Sequence, residues 1–160
     1  MTARFNFLAY TLYGFDQTRQ QELTPEDAER YGRALLTIAA ADGLSPGERD
    51  YFVNLARGMD LPDEVAAAYE RYDTNSATLE QLLAPLKGKH PAPYLIYDAI
   101  KVSSVDGYTD KERAKVARAA ELLGVRTESV RALEGLVAAE NAIRDARLAV
   151  FASINADSTY

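Results

Sequence analysis

The chain has 160 residues and a formal net charge of −6, from 24 acidic and 18 basic side chains. This balance argues against nucleic acid as the main partner, because phosphate binding requires a basic surface, and it leaves cations and basic protein surfaces open. The absence of cysteine excludes disulfides and thiolate metal sites and is consistent with a cytoplasmic location. No apolar run approaches the ~20 residues of a transmembrane helix, so we expect a soluble protein without membrane insertion.

The first half of the chain contains clear helix start and stop signals. Thr24 and Pro25 are the N-cap and first residue of a predicted helix that Gly43 ends. Ser45 and Glu48 then have the spacing of a capping box for a second helix. A short third helix is predicted over 62–72, and a fourth from Thr78 to about residue 86.

The second half repeats these signals after a loop over 87–93, in which two prolines should prevent any helix before Tyr94. An amphipathic helix follows and stops at Gly107. Thr109 and Glu112 form the second predicted capping box, and Gly124 ends that helix. The last helix is predicted from about 127 to 153, with these apolar residues inward: Val130, Leu133, Leu136, Val137, Ile143 and Val150.

These patterns predict an all-α fold, a compact bundle of about seven to eight helices within a single domain over residues 1–160. Residues 5–15, with five aromatics, have raised strand propensity, but we interpret them as helical. In the last helix, the seven-residue spacing of Leu136, Ile143 and Val150 fits either a core face or the seam of a homodimer.

An internal repeat relates about residues 28–60 to 92–124. "ADGLSPGERD" (41–50) and "VDGYTDKERA" (105–114) share Asp-Gly-x-x-x-x-Glu-Arg in the same register, sixty-four residues apart. Core positions align as well, since Ile38 falls on Val102 and Phe52 on Val116. Two helical hairpins of one design explain this pattern most simply.

The doubled motif resembles the TerB-like family, named for bacterial tellurite resistance, over about residues 24–125. The resemblance implies an all-helical cytoplasmic protein that acts in metal-oxyanion or other stress, and related domains serve as protein interaction modules. Clustered acidic positions of the family imply metal binding, and the matching residues here are Asp42, Glu48, Asp106 and Glu112. Val105 departs from the alanine that is usual before the motif.

Helix capping alone accounts for most of each loop, because Gly stops one helix and Ser or Thr with Glu starts the next. Asp42 and Asp106 are harder to explain, since a carboxylate at a helix C-terminus is unfavourable by roughly 0.3–1 kcal/mol. Three compensations remain open. Each aspartate could accept from N–H groups of the next helix, pair with Arg49 or Arg113, or share a cation with Glu48 or Glu112.

If the hairpins pack about a pseudo-twofold axis, the four carboxylates could converge on one hard cation such as Ca²⁺, Mg²⁺ or Mn²⁺. The loops are not EF-hands, because Leu44 and Pro46 occupy positions that require oxygen ligands. Paired loops that bind a protein partner are the other functional interpretation.

The sequence offers few sets of residues that could form a catalytic site. The single histidine, His90, excludes His-rich zinc sites, and its place in the Lys/Pro loop is typical of a solvated residue rather than the base of a Ser–His–Asp triad. The sequence therefore favours a non-enzymatic module. The alternative is a small enzyme or ligand-binding protein, in a biosynthetic pathway, with an apolar pocket lined by Tyr94, Tyr97 and the N-terminal aromatics.

Overall fold

A computed structural model describes residues 11, 24–58, 61, 63–89 and 92–157. Seven α-helices and one 3-10 turn span these residues, and no strand occurs among them. The helices are α1 (Pro25–Ala39), α2 (Pro46–Gly58), α3 (Asp63–Glu70), α4 (Leu79–Leu83), α5 (Ala92–Ser103), α6 (Asp110–Leu123) and α7 (Thr127–Asp157), and the 3-10 turn covers Ala84–Leu86. The predicted all-α fold is confirmed. Of the segment 5–15, only Thr11 is described, and it is helical.

The predicted helix starts are confirmed by hydrogen bonds. The Thr24 hydroxyl accepts from Asp27 N–H at 3.2 Å, and Thr78 forms a reciprocal capping box with Gln81. Thr109 forms the same box with Glu112 at the start of α6. Each satisfies N–H groups that have no partner inside their own helix.

Two helix boundaries differ from expectation. Helix α5 begins at Ala92, so Pro93 lies inside it rather than before it. A proline is tolerated in the first helical turn, because the N–H that it lacks would have no partner there. At their C-terminal ends, α1 and α5 stop at Ala39 and Ser103, several residues before Gly43 and Gly107. Both glycines instead turn the backbone of the following loops, with φ of 114° and 132°.

Helices α1 and α5 form the centre of the core. Leu35 and Ile38 of α1 and Leu95 and Ile96 of α5 are almost completely buried. The ring of Tyr69 from α3 packs directly on Gly32 of α1, where a β-carbon would overlap it. The start of α1 is tied to the loop before α5 by an ion pair between Asp27 and Lys89.

Helix α7 packs on this core over only part of its length. Val130 and Val137 are buried, whereas residues 142–154 are all exposed. The prediction that Leu136, Ile143 and Val150 point inward was wrong, since they are 48%, 60% and 56% exposed. The body of the bundle ends near Val137, so the apolar spacing continues beyond the core. Within the described residues, none of the helices has the length and apolarity needed to cross a lipid bilayer.

Candidate functional site

The two Asp-Gly loops lie side by side at one end of the bundle. A β-carbon placed on Gly47, in the first turn of α2 directly after the first loop, would lie 3.7 Å from Cγ1 of Val105 in the second loop. The α1–α2 hairpin and the α5–α6 hairpin thus bring equivalent segments into contact.

Both loops present a buried glutamate that caps its own helix. Ser45 N–H donates to Glu48 Oε2 at 2.8 Å, and Glu48 N–H donates to Ser45 Oγ at 3.1 Å. In the second loop, Thr109 N–H and the Thr109 hydroxyl both donate to Glu112 Oε2 at 2.8 Å. The glutamates are only 2% and 1% exposed. Such burial is costly for a carboxylate unless its oxygens are hydrogen-bonded.

Glu48 and Glu112 interact with each other across the contact between the loops. The pKa of Glu48 is raised to about 7, chiefly by burial and in smaller part by interaction with the Glu112 carboxylate and by the charge of Asp106, against hydrogen bonds from Ser45 that lower it. Among the described residues, the buried Oε1 of Glu48 has no hydrogen-bond partner. Since Oε2 is taken by Ser45, Oε1 is the oxygen left to carry a proton toward Glu112 or to bind a cation. Burial beside a second carboxylate thus disfavours the charged form of Glu48.

The aspartates lie at the rim of this pair rather than inside it. Asp42 and Asp106 are both exposed, although Asp106 is close enough to act on Glu48. Neither carboxylate makes an ion pair or a side-chain hydrogen bond within the described residues. The first compensation considered from the sequence is therefore not used, because the N–H groups of Ser45 and Thr109 bind the glutamates.

The arginines that follow the glutamates are also directed elsewhere. Arg49 donates to the carbonyl oxygens of Tyr69 and Glu70 at 2.9 Å each, at the end of α3. Arg113 donates to Glu134 of α7 at 2.6 Å and lies over the ring of Tyr108. Pairing of either arginine with its loop aspartate, the second compensation, does not occur in the structure.

The loops supply oxygen ligands suited to a hard cation, but they are not assembled into a full coordination shell. Among the described residues, no group of three or more Asp, Glu, His or Cys side chains is placed to hold a metal ion. Ca²⁺ takes six to eight oxygens and Mg²⁺ six. The unpartnered Oε1 of Glu48 fits a cation ligand, and further ligands would have to come from Glu112, the exposed aspartates and water.

A solved structure has the same architecture as this chain. The crystal structure of a tellurite resistance protein from Nostoc punctiforme superposes with a TM-score of 0.76, at 29% sequence identity and over 100% of both chains. The chain therefore has a TerB-like fold. No protein-family model matches its sequence, and the search of curated proteins found no match.

The TerB-like chain has a second polar cluster that the sequence did not predict. Tyr97 of α5 donates to Glu140 of α7 at 2.8 Å, and Lys101 donates to the same carboxylate at 2.8 Å. Burial and Glu140 raise the pKa of Tyr97 well above its usual value. Nearby, Tyr31 donates to Asp98, which is only 6% exposed, at 2.7 Å. Asp98 could have been noticed as an acid on the apolar face of α5, but its partner lies sixty-seven residues away.

A cavity of about 270 Å³ opens beside this cluster. The side chains that line it are mostly charged or polar: Thr11, Tyr97, Lys101, Glu140, Arg144 and Arg147, with Ile143 the apolar exception. Of the tyrosines expected to line an apolar pocket, Tyr97 borders this cavity, whereas Tyr94 is not among the residues that line it.

Proposed function

We propose that this TerB-like chain acts as a non-enzymatic module in resistance to tellurite or a related stress, in the cytoplasm, and that it binds one divalent cation between its two loops. The proposal rests on one observation. The buried glutamates Glu48 and Glu112 meet between the loops, and Oε1 of Glu48 lacks a hydrogen-bond partner. The tellurite resistance protein of the same fold supports the stress context.

In this proposal the cation takes the place of the proton on the carboxylate pair. Glu48 and Glu112 supply the buried oxygens, and Asp42 and Asp106 turn inward from the rim to add ligands. Ca²⁺, Mg²⁺ and Mn²⁺ all prefer oxygen ligands of this type. Because carboxylates must be deprotonated to bind a metal, cation binding should release a proton and strengthen as the pH rises through about 7.

Isothermal titration calorimetry with Ca²⁺, Mg²⁺ and Mn²⁺ at pH 6 and pH 8 tests the site. We expect binding of one cation per chain, tighter at pH 8, and loss of binding in Glu48→Gln and in Asp42→Asn with Asp106→Asn. Glu64→Gln is the matched control, since it removes an exposed glutamate from the first turn of α3, away from the loops. Absence of binding heat at both pH values, with no change in melting temperature on chelation, would overturn the cation site.

The same loops suit a protein partner with a basic surface. Asp42 and Asp106 are exposed and make no ion pair within the described residues, so their charges are available to lysine or arginine of another protein. A pull-down with the wild type and with Asp42→Asn/Asp106→Asn should recover a partner only with the wild type, and recovery that is lost at high salt supports a charged contact. Equal recovery with both would show that the loops do not bind the partner.

A ligand-binding role is the second candidate, and the cavity beside Tyr97 favours it. Lys101, Arg144 and Arg147 outnumber Glu140 around this cavity, so a small anionic ligand fits its charge better than an apolar one. A thermal-shift screen of small carboxylates and phosphates should raise the melting temperature of the wild type but not of Arg147→Ala. A screen without any shift would remove this candidate.

A further inference from the structure

We infer that two copies of this chain associate through an antiparallel pairing of their α7 helices. The stripe that would form the contact consists of Leu136, Ile143 and Val150, which alternate along one side of α7 with Ala139, Ala146 and Ser153. All six residues are exposed. Large and small side chains that alternate in this way are suited to interdigitate with a facing helix.

Large apolar side chains exposed to solvent are concentrated on this helix. All six large apolar side chains identified as exposed among the described residues belong to α7: Leu136, Ile143, Leu148, Val150, Phe151 and Ile154. Monomeric proteins rarely leave a contiguous apolar surface of this kind open to water. Residues 142–154 of the helix also lack the core contacts that normally stabilise helices in water.

The heptad assignment is consistent over the exposed part of α7. Leu136, Ile143 and Val150 occupy the a positions of consecutive heptads, and Ala139, Ala146 and Ser153 occupy the d positions. Large side chains on both a and d would be typical of a generic coiled coil. Here the a positions always carry a large side chain and the d positions a small one. The stripe therefore needs a partner helix that places small side chains opposite a and large ones opposite d.

A second copy in antiparallel orientation provides that order. In antiparallel pairing, Leu136 faces Ser153, Ile143 faces Ala146, and Val150 faces Ala139, so each large residue meets a small one in all three layers. The same contacts occur twice about a twofold axis, as an isologous interface requires. A parallel pairing would instead place Ile143 against Ile143 and Ala146 against Ala146, which leaves gaps beside crowded layers.

Charge on the flank of the stripe agrees with this orientation. Glu140 and Arg147 both occupy the e position, one heptad apart. Antiparallel copies bring the e positions of the two helices together, with Glu140 of one near Arg147 of the other. Arg147 makes no ion pair within the described residues, so its charge is available for this contact.

The position of the bundle along α7 permits the pairing. Each body contacts α7 as far as Glu140, which binds Tyr97 and Lys101, and the exposed residues 142–154 follow. With the axis near residues 144 and 145, the two bodies lie at opposite ends of the paired helices. Ile143 also lines the cavity beside Tyr97, so the second copy would border that cavity.

Sedimentation equilibrium of the full chain tests the inference with matched variants. Ile143 and Leu148 are 60% and 61% exposed, but they lie about 140° apart around the helix. We expect the wild type to form a dimer of its 17.6 kDa chain, Ile143→Glu to weaken it by about 30-fold or more, and Leu148→Glu to leave it intact. Circular dichroism should show both variants folded, because neither side chain is buried.

Several outcomes would overturn the pairing. A wild type that remains monomeric at a protein concentration on the order of 100 μM associates too weakly for this surface to form a dimer. A monomer destabilised by Ile143→Glu more than by Leu148→Glu would show that the stripe is covered from within the chain. A monomer whose stability neither substitution changes would indicate that the stripe binds a different protein. A dimer that both substitutions disrupt, or neither, would place the contact elsewhere.

Cysteine pairs test the orientation, since the chain has no cysteine of its own. An oxidised equimolar mixture of Ile143→Cys and Ala146→Cys should yield a disulfide-linked heterodimer, because these positions face each other in antiparallel helices. Ile143→Cys alone should remain uncrosslinked. Efficient crosslinking of Ile143→Cys alone would indicate parallel helices and overturn the antiparallel arrangement.

Discussion

The two loops of this TerB-like chain have the same local structure and different surroundings. Each has a positive-φ glycine, an exposed aspartate and a buried glutamate that caps the following helix. The next residue is arginine in both copies, yet Arg49 binds the carbonyl oxygens at the end of α3 whereas Arg113 pairs with a carboxylate of α7. The repeat therefore determines the turn, and the neighbouring helix determines what each arginine stabilises.

The largest expected difference between the copies lies in these arginines. Arg49→Ala should lower the free energy of unfolding by about 2–3 kcal/mol, because two carbonyl oxygens lose hydrogen bonds to a charged donor. Arg113→Ala should cost less than about 1 kcal/mol, since its ion pair with Glu134 is partly exposed. Urea denaturation of both variants measures the difference.

Arg49→Lys is a useful control, because lysine keeps the charge but cannot reproduce the planar fork of donors. We expect it to restore only part of the lost stability. Equal costs for the two alanine variants would mean that the contact of Arg49 with α3 contributes little.

At the loop glycines, by contrast, the two copies should behave alike. Gly43 and Gly107 have φ of 114° and 132°, and a β-carbon would contact nothing within 4 Å at either position. Alanine at each should cost about 1–2 kcal/mol from backbone strain alone. Thermal unfolding of Gly43→Ala and Gly107→Ala should give similar losses, and a cost at only one of them would show that the loops do not share this backbone.

The raised pKa of Glu48 makes its contribution to stability depend on pH. The pKa of Glu48 is about 7 in the folded chain and near 4.5 when unfolded, so the folded state holds more protons between these values. Stability from this group is fully present below about pH 4.5 and is lost as the pH rises through 7. Glu48→Gln, which resembles the protonated form, should therefore match the wild type at about pH 4 and exceed it by about 1–2 kcal/mol at pH 8.

Urea denaturation of the wild type and Glu48→Gln, across this pH range and in the presence of chelator, measures the effect. Glu112→Gln is the comparison, because its Oε2 accepts two hydrogen bonds from Thr109 and the substitution disturbs them at every pH. Parallel stability curves for the wild type and Glu48→Gln would contradict a raised pKa of Glu48.

Local sequence signals predicted much of this fold, and long-range contacts account for what they missed. Thr109 and Glu112 are three residues apart, so their capping box follows from the chain itself. The contact of Glu48 with Glu112 depends on how two hairpins pack, and from the sequence it was only a conditional expectation. Ile143 and Val150 were assigned to the core because periodicity reveals an apolar face but not what covers it.

The smallest predicted difference concerns the N-cap hydroxyls. Ser45→Ala and Thr109→Ala should each cost about 1 kcal/mol, because both remove the acceptor for the N–H of the glutamate. Thr109→Ala should cost a few tenths of a kcal/mol more, since the Thr109 hydroxyl also donates to Glu112 Oε2. Thr109→Ser retains that hydroxyl and should recover most of the loss in thermal unfolding. If Ser45→Ala proves the more costly of the two alanine variants, the additional hydrogen bond does not stabilise the second loop.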